Sequence, residues 1–312
     1  MSIISASRRT DIPAFYSEWL FHRMAEGFVL VPNPMNAHQI SRVRLTPDVV
    51  DCWVFWSKNP APMLDRLTRF DQPWYLHYTL NAYGEDTECN VPPLEDRLDT
   101  FRRIAKLAGP RRTVWRYDPI ALGGSYDVSF HLRQFQKLVH ALEGCTDTCI
   151  ISFLDAYDKT RRNAALLRAP GEALLQELTS AMARECLQHG IALQTCAELI
   201  DLGKYGIPHG ACVDRQRIED ILGCKLTLKP GQQRPACGCC DSIDIGMYDS
   251  CRHGCTYCYA NRSIARATAN VAGHHPHSPL LLGEPTAENL ARIKERPMYS
   301  CRAAGNQASF WD

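Results

Sequence analysis

Short β-rich runs alternate with stretches of helical spacing along the whole chain, and this alternation limits its fold more than any other feature. The runs are SIISAS (2–7), FVLVPN (28–33), DCWVFWS (51–57), WYLHYTL (74–80), RTVWRY (112–117), TCIISFL (148–154), IALQTC (191–196) and SIDIGMY (242–248). Between them, Leu94, Leu98, Phe101 and Ala105 precede Gly109, and Leu132, Phe135, Val139 and Leu142 precede Gly144. Apolar residues three or four apart with a glycine stop predict amphipathic helices. Strand then helix, repeated, predicts parallel pairing. Eight such units predict an α/β fold of the (β/α)8-like, TIM-type barrel kind, with a doubly wound open sheet carrying a small cysteine-rich appendage as the competing arrangement. The barrel takes residues 1–272. Residues 273–312 form a C-terminal tail with one short helix in LGEPTAENLARIKERP.

With 312 residues, 45% of them hydrophobic and 22% charged, the chain can bury a full core. A net charge of +1 supplies no basic field of the kind that draws a protein to nucleic acid or to a membrane surface. MSIISASRRTD has too short an apolar run for a secretory h-region, and no segment reaches the roughly 18 apolar residues of a span. The expected location is cytoplasmic. In a reducing compartment the 15 cysteines serve metals more readily than disulfides, so their grouping matters more than their number.

A barrel of this type builds its site from loops after the strands. Polar residues stand at those places: Arg8, Arg9 and Asp11; Ser57, Lys58 and Asn59; Asn81; Arg116 and Asp118; Asp155; Glu198. Any one of them alone reads as a helix cap or a solvated loop residue, and Asp11, before Ile12 and Pro13, reads equally well as an N-cap. Their recurrence at successive strand ends points to a site. Lys58, Arg116, Asp118, Asp155 and Glu198 are the expected contacts for a substrate or cofactor.

The densest cysteine group comes late, as CRHGCTYCYAN (251–261), with Cys251, Cys255 and Cys258 spaced C-x3-C-x2-C. Three thiolates leave one position of a tetrahedral ion or a cubane cluster without a nearby cysteine. Zinc normally closes that position with a fourth cysteine or a histidine, and His253 lies awkwardly inside the loop. A [4Fe-4S] cluster can leave one iron open for a small molecule. Tyr257 sets an aromatic face beside the third cysteine. Upstream lie Cys196, Cys212, Cys237 and Cys239, which flank the seventh and eighth runs and could complete a second, auxiliary [4Fe-4S] cluster. Cys240 is the substitute ligand, and structural zinc or buried free thiols are the alternatives.

The spacing of Cys251, Cys255 and Cys258, with Tyr257 before the last, resembles the cluster motif of radical S-adenosylmethionine (radical SAM) enzymes. The resemblance implies a [4Fe-4S] cluster on those cysteines and S-adenosylmethionine on the fourth iron. One electron from a donor such as flavodoxin or ferredoxin would yield a 5′-deoxyadenosyl radical acting on a small-molecule substrate. In that family the motif follows the first strand, whereas here it follows the last; since first and last strands are neighbours in a barrel, the resemblance implies a circular permutation. The family's Gly-Gly-Glu stretch is absent, and SASRRTD takes its place, offering Ser7, Arg8 and Asp11 to the amino and carboxyl groups of the cofactor. From SASRRTDIPAFY to DIGMYDSCRHGCTYCYAN the chain also resembles an uncharacterised bacterial family, domain of unknown function 1848, which brings no substrate.

Two other readings stand beside this one. A zinc-binding recognition module without catalysis would use the same thiols. CTYCYAN is also similar to spore photoproduct lyase, which would imply repair of a nucleic-acid lesion. That repair needs a basic groove, and the arginine pairs at 8–9, 102–103, 111–112 and 161–162 form no concentrated patch.

Overall fold

The computed structural model describes residues 2–154, 171–231 and 237–302. In chain order the strands are β1 (Ile3–Ala6), β2 (Phe28–Asn33), β3 (Asn36–Arg44), β4 (Cys52–Ser57), β5 (Trp74–Thr79), β6 (Thr113–Ile120), β7 (Thr148–Phe153), β8 (Ala192–Thr195), β9 (Ile243–Asp244) and β10 (Lys294–Glu295). Seven of them form one parallel sheet in the order β8-β7-β6-β5-β4-β1-β9. The first and last strands of that sheet in sequence are neighbours, with Ile4 opposite Ile243 and Ser5 opposite Asp244.

The run FVLVPN is the exception to the expected eight. It forms β2, but two residues later the chain returns as β3 and pairs with it antiparallel, Phe28 opposite Arg44 and Val31 opposite Ser41. So short a connection permits only a hairpin, because a parallel crossover needs a dozen residues or more. With β10 these strands make a separate three-stranded sheet.

The helices are α1 (Ile12–Phe15), α2 (Ser17–Glu26), α3 (Leu64–Leu67), α4 (Leu94–Ala108), α5 (Val128–Ala141), α6 (Glu172–Gln188), α7 (Arg215–Leu222), α8 (Ile264–Val271) and α9 (Ala287–Ala291). Alternation along the parallel strands sends successive side chains to opposite faces. On one face Trp53, Phe55, Leu76, Tyr78, Trp115 and Ile151 pack against Trp19 and Leu20 of α2, Phe101 and Ile104 of α4, Phe135 and Val139 of α5, and Leu178 and Met182 of α6. On the other, Ile3, Cys52, Val54, Tyr75, Val114 and Ile150 meet Val213, Ile218 of α7, Leu226 and Leu228. The chain between β8 and β9 therefore fills the second face of the sheet. Both faces are buried, which is why these strands read as continuous apolar runs rather than alternating ones.

The tail packs against α2: Trp19 Nε1 donates to the carbonyls of Ser278 and Leu280, and Arg23 Nη2 to that of His277. The one expected helix is α9, capped by Thr286 and Asn289. Among the described residues no helix is long and apolar enough to cross a membrane.

Candidate functional site

Beyond the C-terminal ends of the parallel strands lies a cleft of about 590 Å3, and Cys251, Cys255 and Cys258 all open onto it. Their loop is held from three sides. Asn90 N donates to His253 O at 3.0 Å and Thr256 N to Thr87 O at 3.0 Å. Asn261 Nδ2 donates to Cys251 O at 2.6 Å. His253, buried, sets Nε2 2.7 Å from Asp11 Oδ2 and its ring 4.6 Å from that of Phe15. Gly254 has φ +69°, and a Cβ there would meet Cys89 Sγ at 2.5 Å, so both backbone sign and space call for glycine.

Burial pushes the Cys251 and Cys255 thiols well above their usual pKa, and the neighbouring cysteines push further in the same direction. Thiolates crowded into such a place need a cation to compensate them, and bound metal deprotonates coordinating thiols outright. The donor set fits a metal group.

Asp11 is a junction. Its Oδ1 accepts from Ala14 N at 2.9 Å, capping α1, and its Oδ2 accepts from Lys58 N at 2.8 Å as well as facing His253. The N-cap alternative is realised, and the carboxylate ties the first βα turn to β4 and to the cysteine loop. Ser7 and Arg8 are organised by a residue the sequence did not single out. Asp244, at the end of β9, accepts from Ser5 Oγ at 2.9 Å, Ser7 Oγ at 2.5 Å, Arg8 N at 2.8 Å and Gly246 N at 3.0 Å. Ser7 and Arg8 both line the cleft, and the Arg8 guanidinium lies 5.5 Å from the ring centre of Trp56.

Lys58 and Tyr257 converge on a second overlooked carboxylate, Glu88. Lys58 Nζ donates to Glu88 Oε1 at 2.7 Å, Tyr257 OH donates to the same oxygen, and Arg97 Nη1 lies 3.5 Å from Oε2. Burial alone would raise the pKa of Glu88, but Lys58 and Arg97 outweigh it and hold the carboxyl below the ordinary glutamate range. Burial likewise opposes charge on Lys58, and Glu88 with Cys255 reverses that, leaving the ammonium above its usual pKa. The Lys58 ammonium sits 5.3 Å from the ring centre of Tyr257.

Cys196, Cys212, Cys237 and Cys239 line the same cleft. Their thiols touch in the order Cys196, Cys212, Cys239, Cys237. Contact with Cys239 pulls Cys237 down to about 6, and contacts with Cys196 and Cys239, aided by Arg116, pull Cys212 well below its usual value. The segment is fixed from β5: Tyr75 OH and His77 Nε2 meet the Cys212 carbonyl at 2.5 and 2.7 Å. A carbonyl only accepts, so Nε2 carries the proton; burial pushes His77 down to about 3, keeping the ring neutral. Arg116 Nη1 donates to Cys212 Sγ at 2.9 Å and Nη2 to Asp118 Oδ2 at 2.5 Å. Cys240 turns away to Arg215 and takes no part in lining the cleft.

Among the described residues, neither cysteine group has three sulfurs all within 4.8 Å of one another. Zinc at about 2.3 Å from each sulfur would space them about 3.8 Å apart in a tetrahedron.

Glu198 is not among the residues lining the cleft; its carboxylate accepts from Phe153 N, Leu199 N and Ile200 N at 3.0 to 3.3 Å and so serves the turn after β8. Asp155 lies outside the described residues.

The fold and site together define an α/β protein with a thiol-rich cleft at the carboxyl ends of a parallel sheet. Residues 3–260 match the family described as a domain of unknown function (DUF1848), and the chain belongs to that family. The match runs from β1 through the last cysteine of the loop. No curated protein matches the chain.

Proposed function

We propose that this chain is a radical S-adenosylmethionine enzyme acting on a small molecule, with its parallel sheet a circularly permuted barrel. The observation that carries the reading is that Cys251, Cys255 and Cys258 share one cleft with the four upstream cysteines and with Ser7, Arg8, Lys58, Arg116 and Asp118. The first three would hold a [4Fe-4S] cluster, which together with S-adenosylmethionine and one electron from a flavodoxin or ferredoxin would supply radical chemistry to the cleft. The chain's own residues do the rest. Ser7 and Arg8, steadied by Asp244, face the amino acid portion of the cofactor, and Arg116 and Asp118 orient substrate. Trp56, Phe153, Leu154 and Tyr257 wall the cleft and exclude water. Cys196, Cys212, Cys237 and Cys239 hold a second cluster.

Anaerobically isolated protein is expected to be brown, with iron and sulfide for more than one cluster. With reductant and S-adenosylmethionine it releases 5′-deoxyadenosine. Colourless protein carrying stoichiometric zinc overturns both cluster assignments. Cys239→Ala is expected to remove about half the iron, because the loop carrying Cys251 is held by Asp11 and the 87–90 segment rather than by the upstream thiols. Loss of all the iron, or of none, counts against two independent sites.

A further inference from the structure

Two imidazoles and a carboxylate converge where α5 and α6 end. His140 lies in the last turn of α5, Glu185 in the last turn of α6 and His189 at its C-cap. Both helices run back to the N-terminal ends of the next strands, β7 and β8, so this group stands at the opposite end of the sheet from the cysteine cleft. His140 Nε2 lies 3.2 Å from Glu185 Oε1, and His189 Nε2 lies 3.6 Å from the same oxygen. The three ligand atoms all fall within 4.8 Å of one another.

Those distances have a coordination meaning. A tetrahedral ion about 2.1 Å from each nitrogen and oxygen spaces its ligands about 3.4 Å apart, and 3.2 and 3.6 Å bracket that value. The other nitrogen of His189, Nδ1, lies 3.3 Å from Glu143 Oε1 without a hydrogen bond between them. Glu185 Oε2 accepts from Gln136 Nε2 at 3.5 Å, which orients the carboxylate. One divalent ion takes a lone pair from each neutral ring and keeps the carboxylate paired. His140 is 55% exposed at its side chain while Glu185 and His189 are 18% and 14%, so the ion enters from solvent and keeps a position for water.

We propose that His140, Glu185 and His189 form a site for a divalent transition metal of the zinc type, tying the end of α5 to the end of α6. The test is calorimetric titration of zinc chloride into the cluster-loaded holoprotein, with iron content followed alongside. One saturable equivalent is expected with no loss of iron, and zinc raises the melting temperature. His140→Gln and His189→Gln each weaken binding by more than about 100-fold. If His189→Gln fails to fold, the exposed His140→Gln carries the test. Unchanged zinc affinity in the histidine variants, iron released in step with zinc uptake, or no saturable binding in the micromolar range overturns the site.

Discussion

Cys255→Ala will lose its iron from the late loop and form no 5′-deoxyadenosine. With Cys255 gone, two protein thiolates remain, too few to retain a cubane. The loop itself should survive, since its bonds to Asn90, Thr87 and Asp11 do not involve the Cys255 side chain. Iron bound to Cys196, Cys212, Cys237 and Cys239 is retained. Arg8→Ala, by contrast, keeps both groups of iron and weakens S-adenosylmethionine binding. Losing one charge-assisted hydrogen bond costs about 1.5 to 3 kcal/mol, roughly 10- to 150-fold in affinity. Iron and sulfide analysis, product chromatography and equilibrium binding separate the two variants. Product formation by Cys255→Ala would remove the three-cysteine assignment.

Glu88→Gln is the second large effect, and it falls on stability. The substitution keeps the shape but leaves Lys58 and Arg97 charged, buried and unpaired. Breaking a buried pair from one side costs about 3 to 5 kcal/mol, equivalent to a fall in Tm on the order of 10 °C. Glu172→Gln is the control. Its partner Lys204 stands at 2.6 Å, but the two side chains are 77% and 53% exposed, and an exposed pair contributes less than about 1 kcal/mol. Equal melting of the two variants would show that Glu88 does not hold the network together.

The parallel sheet was legible because its strands are buried on both faces and so stand out as apolar runs. The hairpin was not. β3 carries Asn36, Gln39, Ser41, Arg42 and Arg44, too polar to register as a strand, and without it FVLVPN looked like one more parallel unit. Close spacing singled out Cys251, Cys255 and Cys258, whereas Cys196, Cys212, Cys237 and Cys239 could be grouped only through the strands they flank. Asp244 and Glu88 were hidden for the opposite reason. Ser7 and Asp244 are 237 residues apart, and Glu88 is 169 from Tyr257, so only the folded chain reveals what these carboxylates serve. Glu198 shows the limit from the other side: a carboxylate after a strand can face a ligand or, as here, backbone N–H groups, and the local sequence is the same in both cases.

The pairing of β1 with β9 sets the order in which the protein can be completed. Residues up to 195 carry six adjacent strands of the sheet, from β1 through β8. Until β9 is synthesised, β1 remains an unprotected edge, its backbone groups open to mispairing. The contact that closes this edge spans 239 residues, and such long-range pairings form slowly. Every sulfur donor of the cleft, from Cys196 to Cys258, leaves the ribosome after those six strands. The cleft that those thiols line therefore cannot be assembled until nearly the whole chain has been made.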